Sequence, residues 1–368
     1  MKDILQRDIV KEDCERILKL VDFTPLRGKS VLITGANGFI GSYLFSILHY
    51  ANEKLNLKCK VKGVSLTGAG RRLSRFMPNK YLSFARDDLS KPFKISGKYD
   101  LIFHAACYGQ PARFIEEPLQ TISLNVDTTR TLLEIARKSK GTFVFFSSAE
   151  IYGEIPKVAG GIDESFTGSI STLNPRAVYG ESKRLGETLC AAYANFYKVN
   201  ARVARISHLY GPGISIHDTR VLGDFLRKAL LFGNIELLDS GDAVKTWGYI
   251  GDAATMLFHV ALHGKEMVYH VGGKDIVSIR ALAEKVAEET GAKVILPDHA
   301  RSRRLAGADP RFVGLNTERV RKEMRGFNFT PFEQGIKRMI EWNKEEFGKE
   351  ISSAKNLQSR DFNGRNKR

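Results

Sequence analysis

Residues 30–51 read SVLITGANGFIGSYLFSILHYA, and this stretch restricts the fold more than any other. A short β-branched, apolar run breaks at Gly35, and the residues after it carry the apolar period of a helix. Strand, tight turn and helix follow as the local prediction. Glycines in such a turn let the backbone fold sharply and come close to a pyrophosphate, which then sits on the amides and the positive end of the helix. Three spaced glycines suit any tight strand-to-helix turn. Placed after the first strand of an alternating chain, they point to a dinucleotide site built from Gly35, Asn37, Gly38, Phe39, Ile40 and Gly41.

The alternation continues. KVKGVSL (60–66), DLIFHAA (100–106), TFVFFSS (142–148) and ARVARIS (201–207) read as strands, while NVDTTRTLLEIARKS (125–139) and RAVYGESKRLGETLCAAYANFY (176–197) read as helices. Continuous apolar strands between amphipathic helices predict a parallel sheet covered on both faces, a doubly wound α/β Rossmann domain over 29–206. From 207 the pattern loosens. VLGDFLRKALLF, the short strands IELLD and MVYHVGG, and two last helices, SIRALAEKVAEETG and PFEQGIKRMIEWNKEEF, predict a smaller C-terminal α/β substrate lobe over 207–349, interleaved with the first domain. Residues 1–28 read as an added helix outside the sheet, and the polar, basic residues 350–368 as a flexible tail.

Composition removes several classes. No apolar run reaches the roughly 18–20 residues that span a bilayer, and MKDILQRDIVKEDCERIL has acids where a signal peptide is apolar, so a cytoplasmic protein without membrane insertion is expected. Cys14, Cys59, Cys107 and Cys190 lie far apart, and the 8 histidines form no ligand-spaced cluster, so no metal site is expected. The net charge of +16 fits either an anionic partner or a solvated basic surface.

Two constellations carry redox chemistry. In YGESK, Tyr179 and Lys183 are four residues apart and share a helix face, so the ammonium is expected to lower the phenol's pKa towards neutrality. A tyrosinate there takes a proton from a substrate hydroxyl as hydride leaves for nicotinamide. In FVFFSSAEIYG (143–153), Ser148 ends a buried strand and Glu150 follows two residues later, a charge that needs either water or a task. At the end of the second strand, GVSLTGAGRRLSR has Ser65 and Thr67 where an acid would hold the adenosine ribose, with Arg71 and Arg72 beyond. That pattern favours NADP over NAD, the alternative being surface charges or substrate contacts. Asp88 and Leu89 in RDDL are candidates for the adenine edge, and Ala105 and Ala106 after His104 are small where the cofactor would pass. A third, basic set, His217 and Arg220 with Lys245 and Arg311, forms a candidate diphosphate clamp.

The glycine-rich turn, DDL, HAA, NVDTT, SSAEIYG and YGESK together resemble the extended short-chain dehydrogenase/reductases of the nucleotide-sugar epimerase/dehydratase group, over roughly residues 29–345. QPARFIEEPLQTISLNVDTTRTLLEIAR, NPRAVYGESKRLGET and GPGISIHDTRVLGDF look most like the UDP-glucuronate decarboxylase branch. The resemblance implies that Ser148 hydrogen-bonds the reacting sugar hydroxyl, Tyr179 is the acid/base, and Lys183 holds the nicotinamide ribose. It further implies that Glu150 lies in the sugar site as a base, that Arg113, His208, Arg220, Lys245 and Arg311 bind a nucleoside diphosphate sugar, and that two Rossmann-domain helices form a homodimer. Departures are also present. Ala149 replaces the aspartate of dehydratases, which disfavours dehydration; His208 replaces an asparagine, Lys245 an arginine, and Phe114 a tyrosine of some decarboxylases.

The expected function is an enzyme that oxidises C4 of a nucleoside diphosphate sugar and acts on the 4-keto intermediate, as an epimerase or decarboxylase. The alternative is an NADPH-dependent 4-keto-sugar reductase, which needs only Ser148, Tyr179 and Lys183. A non-catalytic cofactor sensor or RNA-binding protein ranks lower, because such proteins commonly lose the tyrosine and lysine kept here.

Overall fold

Apolar runs bounded by glycine and polar turns form strands because both their faces can be covered, and the computed structural model, which describes residues 8–297 and 310–354, shows that covering. The parts of the predicted N-terminal extension at 1–7 and of the predicted tail at 355–368 lie outside the described residues. Strands β1 (Ser30–Thr34), β2 (Lys60–Ser65), β3 (Leu82–Arg86), β4 (Leu101–His104), β5 (Thr142–Ser148) and β6 (Asn200–Ile206) are parallel, in the order β3-β2-β1-β4-β5-β6. This is the doubly wound order of a Rossmann sheet. Alternate residues divide between the faces: Val31 and Ile33 enter one core cluster, Leu32 and Ile102 the other.

Three short strands follow, β7 (His208–Tyr210), β8 (Asn234–Glu236) and β9 (Val244–Tyr249), before β10 (Val268–Val271) joins the central sheet beside β6 as its seventh strand. The MVYHVGG segment, read from sequence with the second lobe, therefore belongs to the first sheet, since Tyr269 and Val271 are fully buried there. The remaining strands, β11 (Asp275–Ser278), β12 (Lys293–Ile295) and β13 (Phe312–Val313), complete two small sheets: β9 pairs with β7, β11 and β13, and β8 pairs with β12.

In the first half of the chain the helices are α1 (Ile9–Leu20), α2 (Phe39–Leu55), α3 (Arg71–Ser74), α4 (Pro111–Glu116), α5 (Pro118–Asn125) and α6 (Asp127–Ser139). Then come α7 (Ala177–Tyr197), α8 (Val221–Arg227), α9 (Ile250–His263), α10 (Ile279–Thr290), α11 (Glu318–Glu323) and α12 (Phe332–Glu346). One face of the sheet carries α1, α2 and α9, and the other carries α5, α6 and α7. Residues 348–354 are also helical and bury Ile351, so the predicted tail does not begin at 350. No helix among the described residues is long and apolar enough to cross a membrane.

The added N-terminal helix is tied down by charge. Asp13 is 4% exposed and accepts hydrogen bonds from the Tyr43 hydroxyl, from Tyr249 at 2.6 Å and from Arg338 at 2.8 Å, and Arg338 also reaches Glu12. Burial pushes the Asp13 carboxyl up and Arg338 pulls it back down. Removing one member of such a set leaves a buried charge unpaired. Arg338→Met should cost about 3–5 kcal/mol of stability in urea unfolding, whereas Glu12→Gln, at the wetter end with a side chain 39% exposed, should cost under about 1 kcal/mol. Equal effects would contradict this account.

Candidate active site

The parallel strands β1, β4 and β5 end on the same edge of the sheet, where the glycine-rich turn and the YGESK helix meet. Gly35 has φ +67°, and a Cβ on it would stand 2.7 Å from the carbonyl carbon of Ala105, so only glycine lets β1 and β4 end this close. Ala105 and Ala106 donate their amides to the Thr34 carbonyl and hydroxyl. Gly38 caps α2, and Phe39, Ile40 and Gly41 form its first turn. This leaves the amides of a seventeen-residue helix at the sheet edge. Asn37 spans the turn sideways, donating to Thr67 Oγ1 and accepting from the Gly70 amide, each at 2.8 Å.

The residues beyond β2 depart from expectation. Arg72 does not extend towards Ser65. Its guanidinium lies 5.0 Å from the Trp342 ring centre and donates to Ser42 Oγ, because the aromatic face and the core beneath α2 hold it inward. Arg71 pairs with Glu346 at 3.2 Å. The cation nearest Ser65 in the sheet is Arg86, its register partner on β3, which sequence reasoning missed. Asp88 is also redirected: Ser90 donates to it at 2.6 Å and Lys91 pairs with it, closing the local turn and pulling its pKa down, with the Ser90 hydroxyl as the main cause. Leu89 is buried, and its carbonyl takes the Thr128 hydroxyl.

The catalytic candidates do come together. Helix α7 lies on β5, and Lys183, 1% exposed, donates to the Phe146 carbonyl at 2.7 Å with its ammonium 5.7 Å from the Tyr179 ring centre. The Ser148 hydroxyl lies near enough to the Tyr179 phenol to lower its pKa, and it accepts the Glu150 amide at 3.2 Å. Gly180 permits this arrangement, because a Cβ there would sit 2.9 Å from the Glu150 carbonyl oxygen. One expectation fails. Burial pushes the Tyr179 phenol well above its ordinary value, with Cys107 and Glu150 adding to the rise, and only Ser148 opposes it among the main causes. Burial also lowers Lys183. Desolvation of the phenol outweighs the lysine in this state.

Two further residues, Cys107 and Arg176, were not legible as site residues, and Phe114 was read only as a departure from a tyrosine. Cys107, following HAA, lies close enough to Tyr179 and Lys183 to act on the charge of both. Phe114 stacks on Tyr179 with ring centres 4.8 Å apart and planes 15° apart. Arg176 pairs with Glu150 at 2.8 Å and covers Phe114. The PR step before YGESK was the available signal for Arg176, but pairing with a residue twenty-six positions away has no local pattern.

The proposed substrate contacts are dispersed. Arg220 is held by Asp218 at 2.6 Å, with Tyr179 and Cys107 near enough to act on its charge, so it borders the catalytic group. His217 pairs with Glu350, away from that group. Arg113 stands 3.9 Å over the Tyr108 ring and pairs with Glu117 at the rim. His208 packs on Trp247. Lys245 is 1% exposed and donates to the Pro310 carbonyl, which leads into β13, the strand paired beside β9. Arg311 is exposed and contributes its carbonyl to the Val244 amide. No group of three or more potential metal ligands occurs among the described residues.

The sheet order and the glycine turn with positive φ at Gly35 are those of a Rossmann-type dinucleotide-binding fold. A model of the NAD dependent epimerase/dehydratase family matches residues 31–272, about two-thirds of the chain, and the protein belongs to that family. UDP-glucuronic acid decarboxylase 1 of Xenopus tropicalis is 28% identical over 264 residues, 72% of this chain and 61% of that protein's length. UDP-glucuronic acid decarboxylase 3 of Arabidopsis thaliana is 29% identical over 258 residues, covering 70% of this chain and 73% of that one. Among solved structures, a dTDP-glucose 4,6-dehydratase from Streptomyces venezuelae with NAD bound superposes with a TM-score of 0.72 at 25% identity, covering 87% of this chain and 98% of that one. An epimerase from Methanothermobacter thermautotrophicus reaches 0.74 at 20% identity, over 92% and 97% of the two chains, and shares the fold.

A non-glycine residue held in the left-handed region costs roughly 1–3 kcal/mol. Gly35→Ala should therefore weaken dinucleotide binding about ten-fold or more, read by titration of cofactor fluorescence, while Gly68→Ala, where nothing lies within 4 Å, should bind normally. Equal binding by both variants would remove the turn from the site.

Proposed function

We propose that the protein oxidises C4 of a nucleoside diphosphate sugar, acts on the 4-keto intermediate with Glu150, and returns the hydride before product release. The observation that carries this reading is a carboxylate with 22% side-chain exposure, held by Arg176 in the same turn as Ser148 and beside Tyr179. Simple ketone reduction needs no such group.

The glycine turn and the α2 amides fit a dinucleotide pyrophosphate, and a nicotinamide dinucleotide, when bound, supplies the hydride acceptor and then the donor. Lys183 is placed to hold the ribose and to favour the Tyr179 phenolate. Tyr179 takes the C4 hydroxyl proton once its phenol is ionised, a form that burial disfavours and Ser148 favours, and Ser148 orients that hydroxyl. With a carbonyl at C4, the C5 proton is acidic, and Glu150 takes it to give an enolate; epimerisation at C5 follows when a solvent-derived proton reaches the opposite face. For a uronate, the C5–carboxylate bond breaks instead, its electron pair enters the enolate, and a proton is returned to C5. Ala149 offers no acid for a departing C6 hydroxyl, so loss of water is not served.

On cofactor choice, Ser65 removes the carboxylate that would repel a 2′-phosphate, which supports acceptance of NADP, with Arg86 rather than Arg71 or Arg72 as the nearby cation. The same feature favours the NADPH-dependent reductase as the second reading. A homodimer through α5 and α7 is supported by the apolar residues these helices leave exposed, Leu119 at 74% and Phe196 at 82%.

Incubation with UDP-, dTDP-, CDP- and GDP-sugars in heavy water, followed by isomer separation and mass analysis, tests the reading. Conversion without added reductant, with one solvent deuteron at C5, is expected; conversion only with NADPH and no deuteron at C5 supports the reductase. Glu150→Gln should lose roughly 100-fold or more in kcat with little change in sugar binding, and full turnover by that variant would overturn the role of Glu150. Ser65→Asp should shift preference from NADP towards NAD, read from the ratio of the two KM values.

A further inference from the structure

We propose that Arg176 is a positioning residue that keeps Glu150 ionised and aimed at the sugar. This rests on the reading of Glu150 given above. The two side chains meet at 2.8 Å with 14% and 22% of their surfaces exposed, so their attraction is only partly screened. Arg176 is held at both ends. Its backbone amide donates to Asn174 Oδ1 at 2.9 Å, and its guanidinium carbon lies 5.5 Å over the Phe114 ring. Phe114 in turn stacks on Tyr179. Phe114 is held by its own burial as well, so a change at Arg176 moves the carboxylate while the ring that backs the phenol stays in place.

The charged and titratable groups facing this carboxylate are few. Arg176 comes from the residue before α7, Tyr179 from α7, and Arg184, one turn further, donates to the Ile151 carbonyl in the Glu150 turn. Cys107 and Lys183 bear on Tyr179. Arg176 is a cation in direct contact, and a guanidinium at this distance favours the charged form of a carboxylate. An ionised Glu150 accepts a proton at once; a protonated one does not.

The test uses the full chain with Arg176→Gln and Arg176→Lys. Isotope-edited infrared difference spectra against Glu150→Gln read the Glu150 carboxyl directly, without turnover. Deuterium uptake at C5 and reduction of bound cofactor by sugar are followed across pH. In Arg176→Gln the Glu150 carboxyl should titrate about 1–2 pH units higher than in the unmutated enzyme. The acidic limb of C5 exchange should move with it, while hydride transfer stays within about three-fold; Arg176→Lys should recover most of the shift. An unmoved infrared band would overturn the proposal, as would C5 exchange and hydride transfer falling together with unchanged pH dependence. A moved band with no C5 deuterium in the unmutated enzyme would leave Arg176 in its place and sink the base role of Glu150 instead. Should Arg176→Gln not fold, Arg176→Lys must still restore the band position and the pH limb together, and failure to do so counts against the proposal.

Discussion

The site depends on one buried ammonium. Lys183 is almost without solvent, and a lysine in that position is unfavourable unless its charge is met by fixed dipoles or anions. Its bond to the Phe146 carbonyl meets part of that need and sets the distance between α7 and β5. Ser147 donates to Glu187 across the same gap, and Asn125 at the end of α5 donates to the Ser182 hydroxyl and ties α5 to α7. With α7 seated so closely, Tyr179 falls beside Ser148, and the Glu150 turn falls under Gly180. The catalytic group is therefore a consequence of helix-on-sheet packing rather than of loop geometry.

A second set of polar contacts extends this rigidity across the sheet. Arg205 on β6 forks onto Glu187 and donates to the Tyr152 hydroxyl at 2.7 Å; that hydroxyl lies 2.5 Å from His270 on β10. Burial pushes the His270 ring down to about 4, so it is neutral across the working range and serves as a polar strut. Glu164 closes the chain by accepting the His270 amide and pairing with Arg319. The end of β5, which bears Ser148, is thus braced from α7 on one side and from β10 on the other.

Local pattern made much of this legible. Strand and helix periods gave the parallel sheet because burial on both faces leaves a continuous apolar signature, and Tyr179 with Lys183 was visible because four residues make one helical face. What escaped was long-range. Arg72 was assigned by its nearness to the end of β2 in sequence, but Trp342, far along the chain, captures it. Lys245 was assigned as a point charge, but strand pairing buries it. The lowering of the Tyr179 pKa by lysine was inferred from spacing alone, which carries no information on how dry the phenol becomes. Cys107 and Arg176 have no motif of their own and become site residues only through the fold.

The central claim is that the Ser148–Tyr179–Lys183 group performs an internal redox cycle on a sugar that Glu150 then modifies. Rapid mixing of cofactor-loaded enzyme with the converted sugar, followed by near-ultraviolet absorbance of reduced nicotinamide, tests it most directly. The account predicts a transient rise and fall within one turnover in the unmutated enzyme, a rise without release of modified product in Glu150→Gln, and no rise in Tyr179→Phe. Product formation in the unmutated enzyme with no reduced nicotinamide at any time, or only with steady consumption of added NADPH, would contradict it.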